Sequence, residues 1–330
     1  MASFPGTLPD YPTASYRICN TPESLAAAVR VLSQHSHIFL DCEGRNLGTV
    51  SGKLSLLNLG VAHATDDGEQ RLLIFLIDVL AFPKDRAHHL SPIFDIMSSE
   101  KVFKIVFDGR MDASELLHGH RVQLNNVLDL QVADILAREK RGESRDQQLQ
   151  RLRGFLPKHE LARNPDMYLY VHKLNGMGSA MREYGIDEGK KRSVNHDKWL
   201  DRPMDETSLR YAAEDICKIQ QLYDVFMEEG YIDEETLVQQ SASYLALNAD
   251  ARPRGDKYQG HGLFPLAVLA KVSPLTPLMQ CRGCERRLPA SCFARSKSRD
   301  RGHICFVCRA VDMSHKLSPR KRKQDGNSQL

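Results

Sequence analysis

The sequence predicts an α/β domain, in which helices flank a mixed β-sheet, followed by a small cysteine-rich module. Two patterns predict the domain: three apolar runs in succession, which favour strands, and then an alternation of helical and strand patterns. The third observation is that five of the eight cysteines lie between residues 281 and 308. With 330 residues, 42% of them hydrophobic and 26% charged, the chain can build one domain with a sizeable core and a smaller second unit.

The first half of the domain begins with strands. The runs HIFLDCEG, LSLLNLGVAH and RLLIFLIDVL start at His37, Leu54 and Arg71, and segments rich in Gly, Asn, Asp and Ser separate them, which predicts a meander. The segments SPIFDIMSSE, KVFKIVFD and MDASELLHGH then predict helix, strand and helix. An antiparallel start that passes into alternating helix and strand implies a mixed sheet with flanking helices.

The second half is expected to be mostly helical. VLDLQVADILAREK predicts a helix, residues 141–163 predict a loop or an irregular helical insertion, and residues 205–227 predict the most regular helix of the chain. Apolar side chains recur along this last helix at three- and four-residue spacing and are expected to pack in the core. They are Leu209, Ala212, Ile216, Ile219, Tyr223 and Phe226.

Composition predicts the boundaries between the parts of the chain. We expect an N-terminal extension over residues 1–14, the α/β domain over 15–245, and a linker rich in Pro and Gly over 246–280. The linker includes one short apolar segment, LFPLAVLA. The cysteine-rich module is expected over 281–312, and a basic, disordered tail over 313–330.

Two acidic residues end the first predicted strand. Side chains two positions apart project from the same face of a strand, so the carboxylates of Asp41 and Glu43 should converge. Such a pair at the end of an apolar run is costly without a positive partner, and a divalent cation with oxygen ligands would compensate it. The same residues could merely mark the end of the strand. On the long helix, Tyr211 and Asp215 are four residues apart and share one face.

Together these motifs resemble the DEDDy branch of 3′-5′ exonucleases. That group includes ribonuclease D, the Werner exonuclease domain and polymerase proofreading domains. Its motifs occur in order as Asp41 and Glu43, then Asp112 in FDGRMDASELL, then Tyr211 and Asp215. The resemblance covers about residues 15–240 and is closest to the Egalitarian-like subgroup. The segments LDLQVAD and KWLDRPM, which contain Asp129, Trp199, Arg202 and Pro203, are similar to the flanking signatures of the family.

The resemblance implies a ribonuclease H-like fold and a two-metal-ion mechanism that releases nucleoside 5′-monophosphates. By the family pattern, Asp41, Glu43 and Asp215 hold one ion and Asp41 with Asp112 holds the second. Mg²⁺ or Mn²⁺ suits such an all-oxygen site. Tyr211 would orient the attacking water. Asp108 could assist these ligands or cap its loop, and Cys42 is expected to face the core.

The expected partner is a nucleic acid with a 3′ end. We favour RNA over DNA, although no residue is identified that would read the 2′-hydroxyl of the sugar. A DNA repair enzyme is therefore one alternative. The other alternative comes from a different class of protein: an RNA-binding adaptor that keeps the exonuclease fold but is catalytically silent.

The cysteine cluster has the spacing of a zinc site. CRGC and CFVC supply Cys281, Cys284, Cys305 and Cys308, with twenty residues between the two pairs. Four thiolates around one Zn²⁺ make a closed, structural site. Cys292 and His303 are the competing ligands.

The C-terminal region is strongly basic. Residues 281–330 carry 13 Lys and Arg against 4 Asp and Glu, a net charge of +9, whereas the preceding residues have a net charge of −6. The expected nucleic-acid contacts are Arg286, Arg287, Arg295, Lys297, Arg299 and Arg301. A protein-binding module or a solubilising tail would explain the same charge.

Localisation is expected to be intracellular. The N-terminal residues lack the layout of a secretory signal, and no apolar run is long enough to cross a membrane, so no membrane association is expected. The basic run PRKRK, from Pro319 to Lys323, is typical of nuclear import signals and favours the nucleus over the cytoplasm.

Overall fold

The computed structural model describes most of the chain, and its described residues form two compact units. The described ranges are 6–65, 68–83, 85, 87–187, 194–254, 256–258, 261–270, 277–294 and 303–325, with side chains described to residue 315. Unit 1 combines 1–134 with 176–253, and unit 2 combines 135–175 with 254–330. Within the described ranges, no helix has the length and apolar character needed to cross a membrane.

The described residues form the following strands and helices. The strands are β1 (Gly6–Thr7), β2 (Ala14–Cys19), β3 (His37–Arg45), β4 (Lys53–Ala64), β5 (Gln70–Asp78), β6 (Phe103–Val106), β7 (Val127–Asp129), β8 (Val171–Lys173), β9 (Leu263–Pro265), β10 (Leu278–Gln280) and β11 (Arg287–Pro289). The α-helices are α1 (Pro22–Leu32), α2 (Ser91–Ser98), α3 (Arg110–His120), α4 (Leu130–Lys140), α5 (Arg145–Arg151), α6 (Lys158–Arg163), α7 (Met177–Glu183), α8 (Glu206–Glu228), α9 (Glu234–Leu245) and α10 (Phe306–Asp325).

Unit 1 is built on a seven-stranded mixed sheet in the order β1-β2-β5-β4-β3-β6-β7. Strands β3, β4 and β5 pair antiparallel as the predicted meander, and β6 and β7 add parallel strands beside β3. The predicted helix, strand and helix after the meander are α2, β6 and α3. The structure therefore confirms the predicted mixed α/β architecture.

The N-terminal residues contribute to this sheet, which differs from the expected extension over 1–14. Strand β1 pairs antiparallel with β2, and β2 pairs parallel with β5. Leu8 and Tyr16 are buried, at 2% and 3% exposure. Strand β2 joins the sheet through β5, which lies much later in the sequence, so local periodicity did not predict this pairing.

Helix α8 is the longest helix that packs on the sheet of unit 1, and it matches the helix predicted over 205–227. The Asp205 side chain caps it by accepting a hydrogen bond from the backbone N–H of Ser208. Its apolar face is buried as predicted, except that Tyr223 is half-buried. A Cβ at Gly60 of β4 would lie 2.4 Å from Ile216, so glycine permits the close approach of helix and sheet.

The described part of unit 2 includes two short antiparallel strand pairs, β8 with β9 and β10 with β11, and the helices α5, α6 and α10. The insertion over 141–163 contains α5 and α6, and β8 pairs antiparallel with β9. The linker expected over 246–280 is therefore structured in part: Leu263 and Phe264 of β9 are both 1% exposed. Pro and Gly in this segment mark turns, whereas the partner strand lies about ninety residues earlier and leaves no local signal.

The C-terminal residues also differ from the expectation of a disordered tail over 313–330. Helix α10 continues to Asp325, and residues 326–330 lie outside the described part of the chain. Lys and Arg are good helix formers, so a basic composition does not by itself end a helix. The helix begins at the second cysteine pair and includes Met313, whose sulfur accepts a hydrogen bond from the hydroxyl of Tyr168 within unit 2.

Candidate active site

Three of the predicted metal ligands converge in unit 1. Carboxylate oxygens of Asp41, Glu43 and Asp215 all lie within 4.8 Å of one another, and we call these three residues the acidic cluster. Asp41 and Glu43 project from the same face of β3, as strand alternation predicts. The register of β3 against β4 shifts between Glu43 and Gly44, so the regular pairing is interrupted at the cluster.

Helix α8 brings the third carboxylate to the cluster together with two other polar side chains. Tyr211, Asp215 and Lys218 follow one another at four- and three-residue spacing, which places them on one helical face. Burial, followed by the charge of the nearby Asp215 carboxylate, raises the pKa of the Tyr211 hydroxyl. The same carboxylate accepts a hydrogen bond from Nζ of Lys218 at 2.7 Å. Tyr211 and Asp215 therefore act on the same side of the site.

Asp112 lies near the acidic cluster but not within it, because its carboxylate is not among the oxygens that lie within 4.8 Å of one another. It occupies the first turn of α3, where the helix dipole favours a negative charge. The thiol of Cys42 interacts with its carboxylate. Cys42 is buried as predicted, and its contact with Asp112 is a role that the strand alternation alone did not indicate.

Asp129 holds the turn that precedes α3. Its carboxylate accepts hydrogen bonds from the backbone N–H groups of Asp108 and Gly109, at 3.1 and 2.9 Å. Asp108 adopts the left-handed conformation, with φ of 57°, and pairs through its carboxylate with Arg110 at 2.7 Å. Asp108 thus lies in the loop before α3, and its carboxylate pairs with Arg110 and gives α3 no side-chain cap. The anchored turn positions Asp112.

Burial and mutual repulsion dominate the electrostatics of the site. Burial, followed by the charge of Asp215, raises the pKa of Asp41 to about 7. Burial and the charge of Asp41 also raise the pKa of Glu43 and of Asp112 well above their usual values. Burial and the charge of Asp215 raise the pKa of Tyr211 further above its ordinary value of 10.0. The carboxylates therefore require positive charge to ionise together, and Tyr211 is a poor base.

Two residues that motif reasoning missed also contact the acidic cluster. Asn58 lies opposite Asp41 in the β3–β4 register, and its amide donates to Asp41 at 3.4 Å. Lys218 pairs with Asp215, with side chains that are 18% and 11% exposed. The spacing of three residues on a helix could have indicated Lys218. Asn58 could be found only from the strand register.

The segment flagged around Trp199 and Arg202 supports Tyr211 and the neighbouring strands. The rings of Trp199 and His196 lie 6.1 and 6.3 Å from the Tyr211 ring, and the indole N–H donates to His196 at 3.2 Å. The guanidinium of Arg202 donates two hydrogen bonds to Asp78, at 2.7 and 2.8 Å. These contacts restrict the orientation of the Tyr211 ring.

The predicted zinc ligands also converge, in unit 2. The sulfur atoms of Cys281, Cys284, Cys305 and Cys308 lie within 4.8 Å of one another, and we call these residues the cysteine cluster. Backbone N–H groups of Gly283 and Cys305 donate to the sulfur of Cys281, at 3.4 and 3.3 Å. Hydrogen bonds from the other thiols, chiefly from Cys284, lower the pKa of Cys281.

The competing ligands are not part of the cysteine cluster. Cys292 is buried beside it at 2% exposure, and burial raises the pKa of its thiol to about 12, which disfavours the thiolate. The ring of His303 packs against Phe293 instead, with centroids 6.0 Å apart. Among the predicted nucleic-acid contacts, Arg287 is exposed and Arg286 is half-buried. The remaining four, Arg295, Lys297, Arg299 and Arg301, lie outside the described residues.

Comparison with known proteins gives one family and several relatives. The family model for 3′-5′ exonucleases matches residues 16–230. The piRNA biogenesis protein EXD1 of Xenopus laevis is 26% identical over 261 residues, which cover 77% of this chain and 50% of that protein. EXD1 of Mus musculus is 27% identical over 218 residues, covering 66% of this chain and 33% of that protein. The chain therefore spans half or less of the length of these curated relatives.

A solved structure shows the same fold. Trypanosoma brucei RNase D in complex with RNA U12 superposes with a TM-score of 0.52 at 22% identity, covering 77% of each chain. This similarity and the mixed seven-stranded sheet agree with the expected ribonuclease H-like fold. The family model matches well over half of this chain, and the matched residues include the whole acidic cluster. The chain therefore belongs to the 3′-5′ exonuclease family.

Proposed function

We propose that this protein is a divalent-metal-dependent 3′-5′ exonuclease that hydrolyses RNA and releases nucleoside 5′-monophosphates. The observation that carries the proposal is the convergence of Asp41, Glu43 and Asp215 beside the hydroxyl of Tyr211. Membership of the exonuclease family supports it. We further propose that the chain belongs to the DEDDy branch and its Egalitarian-like subgroup, since the motifs and their order match.

The acidic cluster fits a hard divalent cation. It offers oxygen atoms from three carboxylates, of which Glu43 and Asp215 are 7% and 8% exposed. Burial and then the repulsion between neighbouring carboxylates raise the pKa of Asp41 and of Glu43, and a bound cation would offset both effects. Asp41, Glu43 and Asp215 would hold one Mg²⁺ or Mn²⁺, and Asp41 with Asp112 would hold a second. Such ions supply a nucleophilic hydroxide and stabilise charge on the attacking and leaving oxygens.

The residues of the chain contribute orientation rather than proton abstraction. Tyr211 shares a helical face with Asp215, and its hydroxyl would align the attacking water there. The raised pKa of Tyr211 argues against its use as a base. His196 and Trp199 pack around the ring and keep the hydroxyl in place. Asp129 would act at one remove, by fixing the turn that carries Asp112.

We favour RNA as the substrate for two reasons. The structural neighbour is an RNase D that was solved with a bound RNA, and the curated relatives are named for piRNA biogenesis. The substrate class is therefore part of the proposal, as is the requirement for a free 3′ end.

We also propose that the cysteine cluster binds one structural Zn²⁺ and that its module contacts nucleic acid or a protein partner. Four sulfur atoms within 4.8 Å of one another, two of which accept backbone hydrogen bonds, support the zinc site. The net charge of +9 over residues 281–330 supports contact with a polyanion. A protein partner would use the same module without that charge dependence.

The experiment is cleavage of 5′-labelled oligonucleotides by the purified protein with Mg²⁺ or Mn²⁺. Single- and double-stranded RNA and DNA are compared, and we expect stepwise shortening of RNA from the 3′ end. The matched control is Asp41→Asn, which keeps the side-chain volume and removes one ligand charge. If the wild-type protein binds RNA but leaves it intact with both ions, the catalytically silent adaptor is the correct function.

A further inference from the structure

Lys218 places an ammonium group at the acidic cluster. Its Nζ lies 2.7 Å from Oδ1 of Asp215 and 5.8 Å from the centroid of the Tyr211 ring. The side chain is 18% exposed, so most of it is shielded from water. The ammonium therefore binds one carboxylate oxygen of Asp215, which the proposed function assigns to a metal ion.

The pair differs from an ordinary ion pair on the same helix. Arg210 pairs with Glu206 at 2.9 Å, and the side chains are 34% and 59% exposed, in the range where an ion pair contributes little. Glu206 is outside the acidic cluster. Lys218 instead faces Asp215, whose carboxylate is repelled by those of Asp41 and Glu43. The attraction between Lys218 and Asp215 is therefore stronger, and salt screens it less.

An ammonium and a divalent ion compete for the same position. Both are cations that seek the carboxylate of Asp215, and placing them on it together adds like-charge repulsion at close range. A lysine side chain has a flexible four-carbon stem, so its ammonium group can move away from Asp215 without any movement of the backbone. Binding of the ion at Asp215 thus becomes an exchange of one cation for another.

We infer that Lys218 is a built-in counter-cation that neutralises Asp215 in the metal-free protein and competes with the divalent ion for the acidic cluster. The inference rests on the proposed metal site. Two consequences follow: the metal-free protein is stabilised by Lys218, and a higher concentration of the ion is needed to fill the site. Lys218 is a positioning residue, because it acts through Asp215.

The test is the affinity of the full-length, zinc-loaded protein for Mn²⁺. Electron paramagnetic resonance measures the unbound ion during the titration. Wild type is compared with Lys218→Met, with Lys218→Gln, and with Arg210→Met as the matched control that removes a cation from the same helix. We expect Lys218→Met to bind Mn²⁺ about tenfold more tightly, since the competent fraction of the site rises. The control should stay within about twofold of wild type, because surface charges are screened.

Thermal unfolding supplies a second readout. Without Mn²⁺, Lys218→Met should unfold at a lower temperature than wild type, and added Mn²⁺ should raise its midpoint by more than it raises that of wild type. The unfolding midpoint of Lys218→Gln should fall between those of wild type and Lys218→Met. If Lys218→Met fails to fold without metal, Lys218→Gln takes its place in the comparison. Equal Mn²⁺ affinity of wild type, Lys218→Met and Lys218→Gln would overturn the inference alone. Absence of Mn²⁺ binding in all of these variants would overturn the proposed metal site as well.

Discussion

The acidic cluster and the cysteine cluster are both groups of side chains that could hold a metal, but they are built in opposite ways. The acidic cluster joins residues from β3 and α8, which are far apart in the sequence. The cysteine cluster joins two pairs with the same short spacing. Hard carboxylate oxygens suit an ion that also binds water and substrate, whereas four thiolates close the coordination sphere.

The two clusters also manage charge differently. In the acidic cluster, burial and neighbouring carboxylates raise the pKa of Asp41 to about 7, while Asn58, the backbone of Cys42 and Lys218 oppose this shift. In the cysteine cluster, hydrogen bonds among the thiols lower the pKa of Cys281 and raise the pKa of Cys305 and of Cys308. The comparison teaches that the carboxylates of the acidic cluster repel one another, whereas the thiols of the cysteine cluster interact chiefly through hydrogen bonds among themselves.

The largest expected effect comes from the acidic cluster. Asp41→Asn or Asp215→Asn should reduce cleavage by about 10³-fold or more, because each removes a charged metal ligand with little change in volume. The measurement is single-turnover cleavage of labelled RNA, with circular dichroism to verify the fold. Cleavage at the wild-type rate in either variant would refute the assignment of the site.

The next effect concerns the cysteine cluster. Cys281→Ser should reduce the zinc content from about one ion per chain towards zero and destabilise unit 2, because a small module has too little core to fold without its metal. Cys292→Ser is the matched control and should keep the zinc. Metal analysis distinguishes them. Loss of zinc from the Cys292 variant, with retention in the Cys281 variant, would reassign the ligands.

Tyr211→Phe should have a smaller effect than loss of a carboxylate. It deletes the hydroxyl and keeps the ring between His196 and Trp199, so cleavage should fall by about tenfold to a hundredfold. Mn²⁺ affinity should remain that of wild type. If the affinity collapses instead, Tyr211 supports the structure of the cluster and does not orient water.

The smallest effect is expected from the basic surface of the cysteine-rich module. Arg282 and Arg287 are exposed, and changing both to Ala should lower the slope of log affinity against log salt by about 1.4 for single-stranded RNA. Arg71→Ala in unit 1 is the control for a general change of charge. An unchanged slope in the double variant would favour a protein partner for the module.

Much of the site was predictable because its motifs are local. Asp41 with Glu43 depends on strand alternation, Tyr211 with Asp215 on helical spacing, and the four cysteines on paired spacing. Each pattern lies within one element, so a single sequence is enough to recognise it. Their mutual approach followed from the family resemblance rather than from any of the patterns.

The remaining features depend on pairing between distant segments. Strand β2 pairs with β5 and strand β9 pairs with β8, and neither pairing leaves a local signal in the sequence. Asn58 reaches Asp41 only through the β3–β4 register. Asp112 was predicted as a ligand, but its distance from the acidic cluster depends on the turn that Asp129 holds. Such contacts are set by tertiary structure, which no local pattern records.

Crystals soaked in Mn²⁺ and measured for anomalous scattering would test the central claim most directly. The account predicts a peak between Asp41, Glu43 and Asp215, with oxygen atoms at about 2.0–2.3 Å, and release of Lys218 from Asp215. Data collected at the zinc edge would test separately whether the cysteine cluster holds zinc. Mn²⁺ that binds elsewhere on the chain, with the acidic cluster empty at a saturating concentration, would contradict the account.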